Sequence, residues 1–235
     1  GCKKEDYVRQ YISKISEGLH ISTQKKGRVS MPTTYAHYKF GKEVLSALPR
    51  PLQNSIEAHR ELFDIGLHGP DILFYYNALK KDPVNEQGHT LHEQFADEFF
   101  HHAVEVIEKA KDPAVARAYI YGFICHFALD SECHPYVEKI MQVGRVSHNE
   151  IEMELDRMML TEDYHDPLRY LTAKHIQPKM EYAEVIAPFF KDVTAEQIYK
   201  ALKGMVFYHK LFLAPTSGKR KALFLGMKAV GKYDS

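Results

Sequence analysis

No run of about 18 or more apolar residues occurs in the chain, so a hydrophobic helix long enough to span a bilayer is excluded. Net charge is also missing, since 31 Lys and Arg offset 31 Asp and Glu. The molecule as a whole therefore has no electrostatic pull toward nucleic acid or an anionic membrane. Cysteine is scarce, with three in 235 residues. Cys125 and Cys133 fall on one predicted helix, roughly 12 Å apart along its axis, which is out of reach of a disulfide. With Cys2 left over, this usage fits a reducing compartment. Alternation of period two is absent throughout, as are internal repeats and low-complexity tracts, so the fold class is all-α.

The helical segments follow from periodicity and punctuation. A short helix is expected over 5–18, and Gln24 to Ser30 reads as a polar linker. Composition changes at Met31, so an N-terminal extension over 1–30 is expected before a single domain over 31–235. Helical periodicity runs from Met31 to the prolines Pro49 and Pro51, then from Leu52 to Ile65. Gly66, Gly69 and Pro70 punctuate the chain before Asp71, which is expected to start a short apolar helix. A loop over Asp82 to Gly88 leads to a helix from His89 to Ala110. The central helix takes Asp112 as N-cap and Pro113 at its first position. It is apolar nearly all round over Ala118 to Leu129, as a buried helix needs, and Pro135 is expected to end or kink it. Further helices are expected near 148–160, 167–175, 179–190, 194–212 and 218–231.

Histidine is in excess, with 14 residues, and it is the commonest metal ligand. Three polar side chains interrupt the apolar central helix. His126, Asp130 and His134 stand at i, i+4, i+8 and so leave the helix on one face, neighbouring rungs about 6 Å apart and end rungs about 12 Å apart. One ion with bonds of about 2 Å reaches neighbouring rungs but not both ends. A ladder that binds metal therefore binds more than one ion, with Asp130 as the bridge. A second i, i+4 pair, His148 and Glu152, sits behind a capping box formed by Ser147 and Glu150. Burying an ionised carboxylate between imidazoles costs several kcal/mol unless a cation or a hydrogen-bond network offsets it.

These motifs, H-x-x-x-D at His126 and Asp130, His134 followed by Pro135, and H-x-x-x-E at His148 and Glu152, resemble the zinc-dependent phospholipases C of bacteria. Those enzymes are related to fungal single-strand nucleases with a trinuclear zinc site. His37 in TYAHYKFG and Asp71 in HGPDILF resemble the family's earlier ligands. The resemblance implies an all-α domain of the phospholipase C and nuclease type. It also implies two or three zinc ions and Asp71 as a catalytic residue as well as a ligand. One ion would be held by Asp71, a histidine of GHTLH, His126 and Asp130. A second would be held by His134, His148 and Glu152. A third would be held by His37, Asp130 and the mature N-terminus. Between His89 and His92, the latter is preferred because it shares a helical face with Phe95 and Phe99. The family's secreted members begin with a ligating tryptophan, and this chain has none. A chain starting at Met31 and processed to Pro32 would supply the terminal amine instead.

Imidazole and carboxylate without thiolate suit zinc independently of the resemblance. Three divalent ions would exceed three carboxylates by about three charges, a demand that hydroxide and a phosphodiester meet. Clustered ions lower the pKa of bound water to about 7. The expected activity is hydrolysis of a small phosphodiester or phospholipid. The alternatives are a single-strand nuclease and a non-catalytic module stabilised by metal. A nuclease needs a cationic, aromatic groove, which a neutral chain with few clustered bases disfavours, so no stable nucleic-acid complex is expected. Tyr75 and Tyr76 are candidates for a cation–π wall around a choline-like head group, against the commoner reading as core. The His165–Asp166 dipeptide reads as loop, and the basic runs Lys25 to Arg28 and Lys219 to Lys221 as solvated surface. A start at Met31 makes the protein cytoplasmic, whereas Cys2 would mark an exported, lipid-anchored form.

Overall fold

A computed structural model describes residues 34–93, 96–144 and 147–229. The expectations for the segments 5–18 and 24–30, the chain start at Met31 and Pro32, and the packing of Phe95 lie outside the described residues. Among the described residues there is no strand, and the protein is all-α. The helices are α1 (Thr34–Ala47), α2 (Arg50–Glu57), α3 (Arg60–Gly66), α4 (Pro83–Glu93), α5 (Ala96–Lys109), α6 (Pro113–Gly144), α7 (His148–Glu162), α8 (Met180–Ile186), α9 (Ala195–Phe212) and α10 (Ser217–Ala229). Short 3-10 turns cover Gly69–Tyr75 and Ala187–Phe189.

The described residues fall into two compact units. The first takes those of Gly1–Ala36, Ala128–Leu171 and Leu211–Ser235, the second His37–Phe127 and Thr172–Lys210. In the second unit, the N-terminal half of α6 supplies Tyr119 and Phe123 to a core that Ile72, Leu73, Ile186 and Leu202 complete. A smaller cluster of Leu45, Ile56, Phe63 and Leu67 packs on Cys125. Here α3 and α6 come into backbone contact. A Cβ on Gly66 would lie 2.1 Å from the Tyr119 carbonyl oxygen, and one on Gly122 2.2 Å from that of Phe63. In the first unit, Val137 of α6 and Ile151 of α7 are buried together, with Ile140, Leu155 and Met158 against them.

Local chemistry explains where the elements start. The Asp112 side chain accepts from the Ala114 N–H at 3.0 Å ahead of Pro113. Ser147 and Glu150 form the expected capping box on α7. The first turn of α1 is closed by a distant carboxylate: Asp156 of α7 accepts from the N–H groups of Tyr35 and Ala36, each at 2.9 Å.

Several expectations are corrected. The stretch 82–88 is not a loop, because α4 begins at Pro83, where Asp82 accepts from the Val84 N–H at 3.0 Å. Asp-Pro starts this helix just as it starts α6. Pro135 does not end α6, which continues to Gly144. Proline removes one backbone donor at a cost of about 3 kcal/mol, and the burial of Val137 beyond it offsets that loss. Residues 167–175 form turns rather than a helix. Asp166 diverts the backbone there: its side chain accepts from Leu168 N–H, and its carbonyl from the N–H groups of Arg169 and Tyr170. The helix expected over 179–190 stops at Ile186, and the backbone tightens into a 3-10 turn around Pro188. The central helix is not buried all round either, since Ile124 and Phe127 on one side are exposed.

The contact between α3 and α6 predicts that Gly122→Ala lowers stability by about 1–3 kcal/mol, the usual cost of overpacking. Denaturant melts would read this as a lower midpoint with unchanged slope.

Candidate metal centre

Asp71 lies in the 3-10 turn after α3 and is 2 % exposed. Two features shape its surroundings. Gly69 has φ +48°, and a Cβ there would stand 2.2 Å from Cδ2 of His126, so only glycine lets this turn pass against the imidazole. Downstream, buried Asn85 donates to the carbonyls of Tyr76 (3.1 Å) and Lys80 (2.8 Å). That clasp folds the chain back so that α4 delivers His92 to Asp71.

Asp71 is surrounded by imidazoles. Its Oδ1 is 2.9 Å from Nε2 of His92, and its Oδ2 is 3.9 Å from Nδ1 of His126. The rings of His37 and His126 stack with centroids 4.4 Å apart. His37 and His126 are each 3 % exposed. Ligand atoms from His37, Asp71 and His126 all lie within 4.8 Å of one another, a group able to hold a metal ion.

The protons decide how this cluster reads. Nδ1 of His92 is 2.7 Å from the Gly88 carbonyl, which only accepts, so Nδ1 carries a hydrogen. In the neutral ring Nε2 then aims a lone pair at the Asp71 carboxylate, and two acceptors at 2.9 Å repel. Either a proton lies between the two atoms or a cation does. A backbone carbonyl holding the far nitrogen is also how metal-ligating histidines are oriented. The 3.9 Å gap between Asp71 and His126 is too long for a hydrogen bond, yet two bonds of about 2.0–2.2 Å to one ion span it. The residues present fit zinc.

Of the other expected ligands, Asp130 follows His126 by one turn on the unbroken α6, and His134 by two turns, so the ladder spacing holds on the backbone. The side chain of His134 is outside the described ones. In the first unit, Nε2 of His148 is 2.7 Å from Oε1 of Glu152 on α7. Burial, with the nearby carboxylates of Asp130 and Glu152, pushes the Cys133 thiol up to about 12. His89 is exposed, tilted against Phe74 at 4.5 Å. Tyr75 belongs to the core of the second unit, and the Lys200 ammonium lies over the Tyr76 ring at 4.8 Å. His165 lies in the irregular stretch after α7 and stacks on Tyr170 at 4.2 Å.

Sequence reasoning missed a second histidine group. Nε2 of His68 lies 2.7 Å from Nε2 of His175, whose ring stacks on Tyr38 at 3.9 Å. Burial and neighbouring imidazoles hold His68 well below its ordinary value, and burial brings His175 down to about 3. The contact is therefore a hydrogen bond between neutral rings. His68 stands three residues before Asp71 in HGPD, a hint available in the sequence, whereas its partner lies 107 positions away.

The all-α fold and a buried His and Asp group able to hold a metal place the chain among helical proteins with a candidate metal centre. The family model for zinc dependent phospholipase C matches residues 36–204. The chain belongs to the zinc-dependent phospholipase C family, a zinc phospholipase-type hydrolase family. No curated protein and no solved structure matches it.

The contact between His92 and Asp71 predicts that His92→Ala lowers the zinc content of the purified protein, while His89→Ala leaves it at the parent's value. Elemental analysis of both variants checks this. Equal loss in the two would remove the distinction between these histidines.

Proposed function

We propose that the protein hydrolyses phosphodiesters in the manner of a phospholipase C, with the cluster around Asp71 at its centre. The observation that carries this reading is the buried Asp71 carboxylate, with His92 held against it by the Gly88 carbonyl. His37, Asp71, His92, His126 and Asp130 would serve as ligands in one group, and His134, His148 and Glu152 in another. Zinc, when bound, supplies Lewis acidity toward a phosphoryl oxygen and an acidified water.

The chain's own residues have separate tasks. Asp71 would hold the ion through its carboxylate and accept a proton from water, which makes it the catalytic residue. His92 donates its Nδ1–H to the Gly88 carbonyl, which leaves Nε2 of the neutral ring as the ligand nitrogen. Asp130, between His126 and His134 on α6, would be the carboxylate placed to serve two ions. Imidazoles outnumber carboxylates in this set, so the loaded site stays positive and favours an anionic phosphodiester over a neutral ester.

This reading predicts faster turnover of a small chromogenic phosphocholine diester than of single-stranded DNA, loss of turnover with a chelator and recovery with zinc. Losing a partner behind a ligand costs about 10–100-fold, so Asp130→Asn, which changes a ligand, should cost roughly 100-fold or more. His165→Ala should leave the rate unchanged. Faster cleavage of DNA would transfer the reading to a nuclease, and full activity in the Asp130 variant would remove the bridge.

A further inference from the structure

Charge balance over the whole chain conceals a one-sided segment. Every charged residue between Glu196 and Asp234 is a lysine or an arginine. Helix α10 lies within it and turns an unusual face outward. Its half-buried side is formed by Arg220, Leu223 and Met227 at i, i+3, i+7. Arg220 is tied down there through Nη1, which donates to the Ala214 carbonyl at 3.2 Å. The adjoining outward side carries Lys221, Phe224, Leu225 and Lys228 at i, i+3, i+4, i+7, all four exposed. Leu225 is 69 % exposed and Phe224 52 %. Just upstream, Leu211 and Phe212 at the end of α9 are exposed as well. A surface helix usually hides its large apolar residues. This one interleaves them with lysines on its outer face.

We propose that the outer face of α10 docks on the surface of an anionic phospholipid bilayer. Lysines reach the charged head groups while Phe224 and Leu225 enter the acyl boundary, the pattern of helices that lie in the interface plane. Other occupants fit less well. A second copy meeting this face about a two-fold axis would set lysine against lysine. Nucleic acid would use the cations but leave Leu225 without a role. The surface stands on its own residues, and only its link to catalysis rests on the phospholipase reading.

The test is vesicle flotation of the full chain, with phosphatidylcholine vesicles compared with the same vesicles doped with phosphatidylserine. The parent should bind the doped vesicles about tenfold or more tightly than the undoped ones. Lys221→Glu with Lys228→Glu should abolish that preference. Phe224→Ser with Leu225→Ser, which leaves the charge intact, should also release the protein. Both double variants should turn over the soluble diester as the parent does. Equal binding to the two vesicle types, or double variants that float like the parent, overturns the proposal. So does a parent dimer that the Phe224 and Leu225 variant splits, or binding to an oligonucleotide without binding to lipid. A parent that floats but cleaves no diester keeps the docking surface and loses the phospholipase reading; one that cleaves and does not float does the reverse.

Discussion

Burying a carboxylate is the constraint on which the centre of this protein depends. Asp71 is nearly inaccessible, and an ionised carboxylate in that position costs several kcal/mol unless positive charge meets it. The fold meets it with imidazoles and orients one of them with care, because the Gly88 carbonyl occupies the far nitrogen of His92. The near nitrogen is then available either to carry a proton toward Asp71 or to bind a cation beside it. Gly69 and the Asn85 clasp belong to the same device: the first admits the His126 ring against the turn, and the second returns α4 to the carboxylate.

Helix α6 carries the rest of the arrangement. Its 32 residues run through Pro135 without ending, so His126, Asp130 and His134 keep the rung spacing that one continuous helix dictates. The N-terminal half is held by the close backbone approach to α3, and the C-terminal half by Val137 against Ile151. Ligands carried on one continuous helix keep their spacing more firmly than ligands on loops would.

Much of this was legible in the residues because helix geometry is local. The i, i+4 ladder, the Asp112 and Ser147 caps and the all-α class follow from spacing alone. What needed tertiary information was less accessible. His92 is already preferred over His89 from its helical face, but its contact with Asp71 lies across 21 positions, and the pairing of His68 with His175 spans 107. The start of α4 at Asp82–Pro83 carried the same signal as α6, but the polar run after it read as a loop. The local cost of Pro135 suggests a helix end, but the burial of Val137 beyond it is a tertiary contact that offsets that cost. Residues 167–175 had helical composition, and one aspartate with competing hydrogen bonds diverted them. The basic run at Lys219 read as solvated surface, yet Arg220 is held inward and Lys221 shares its face with exposed apolar residues.

The most direct test of the central claim is the zinc-edge anomalous map of crystals grown with zinc. A peak within about 2.0–2.2 Å of an Asp71 oxygen and of a nitrogen of His126 or His92 is the result expected. If zinc is present in the crystal but no peak stands between these side chains, and Nε2 of His92 remains in direct contact with Oδ1 of Asp71, the cluster is a protonated ion pair and the account of a metal centre is contradicted.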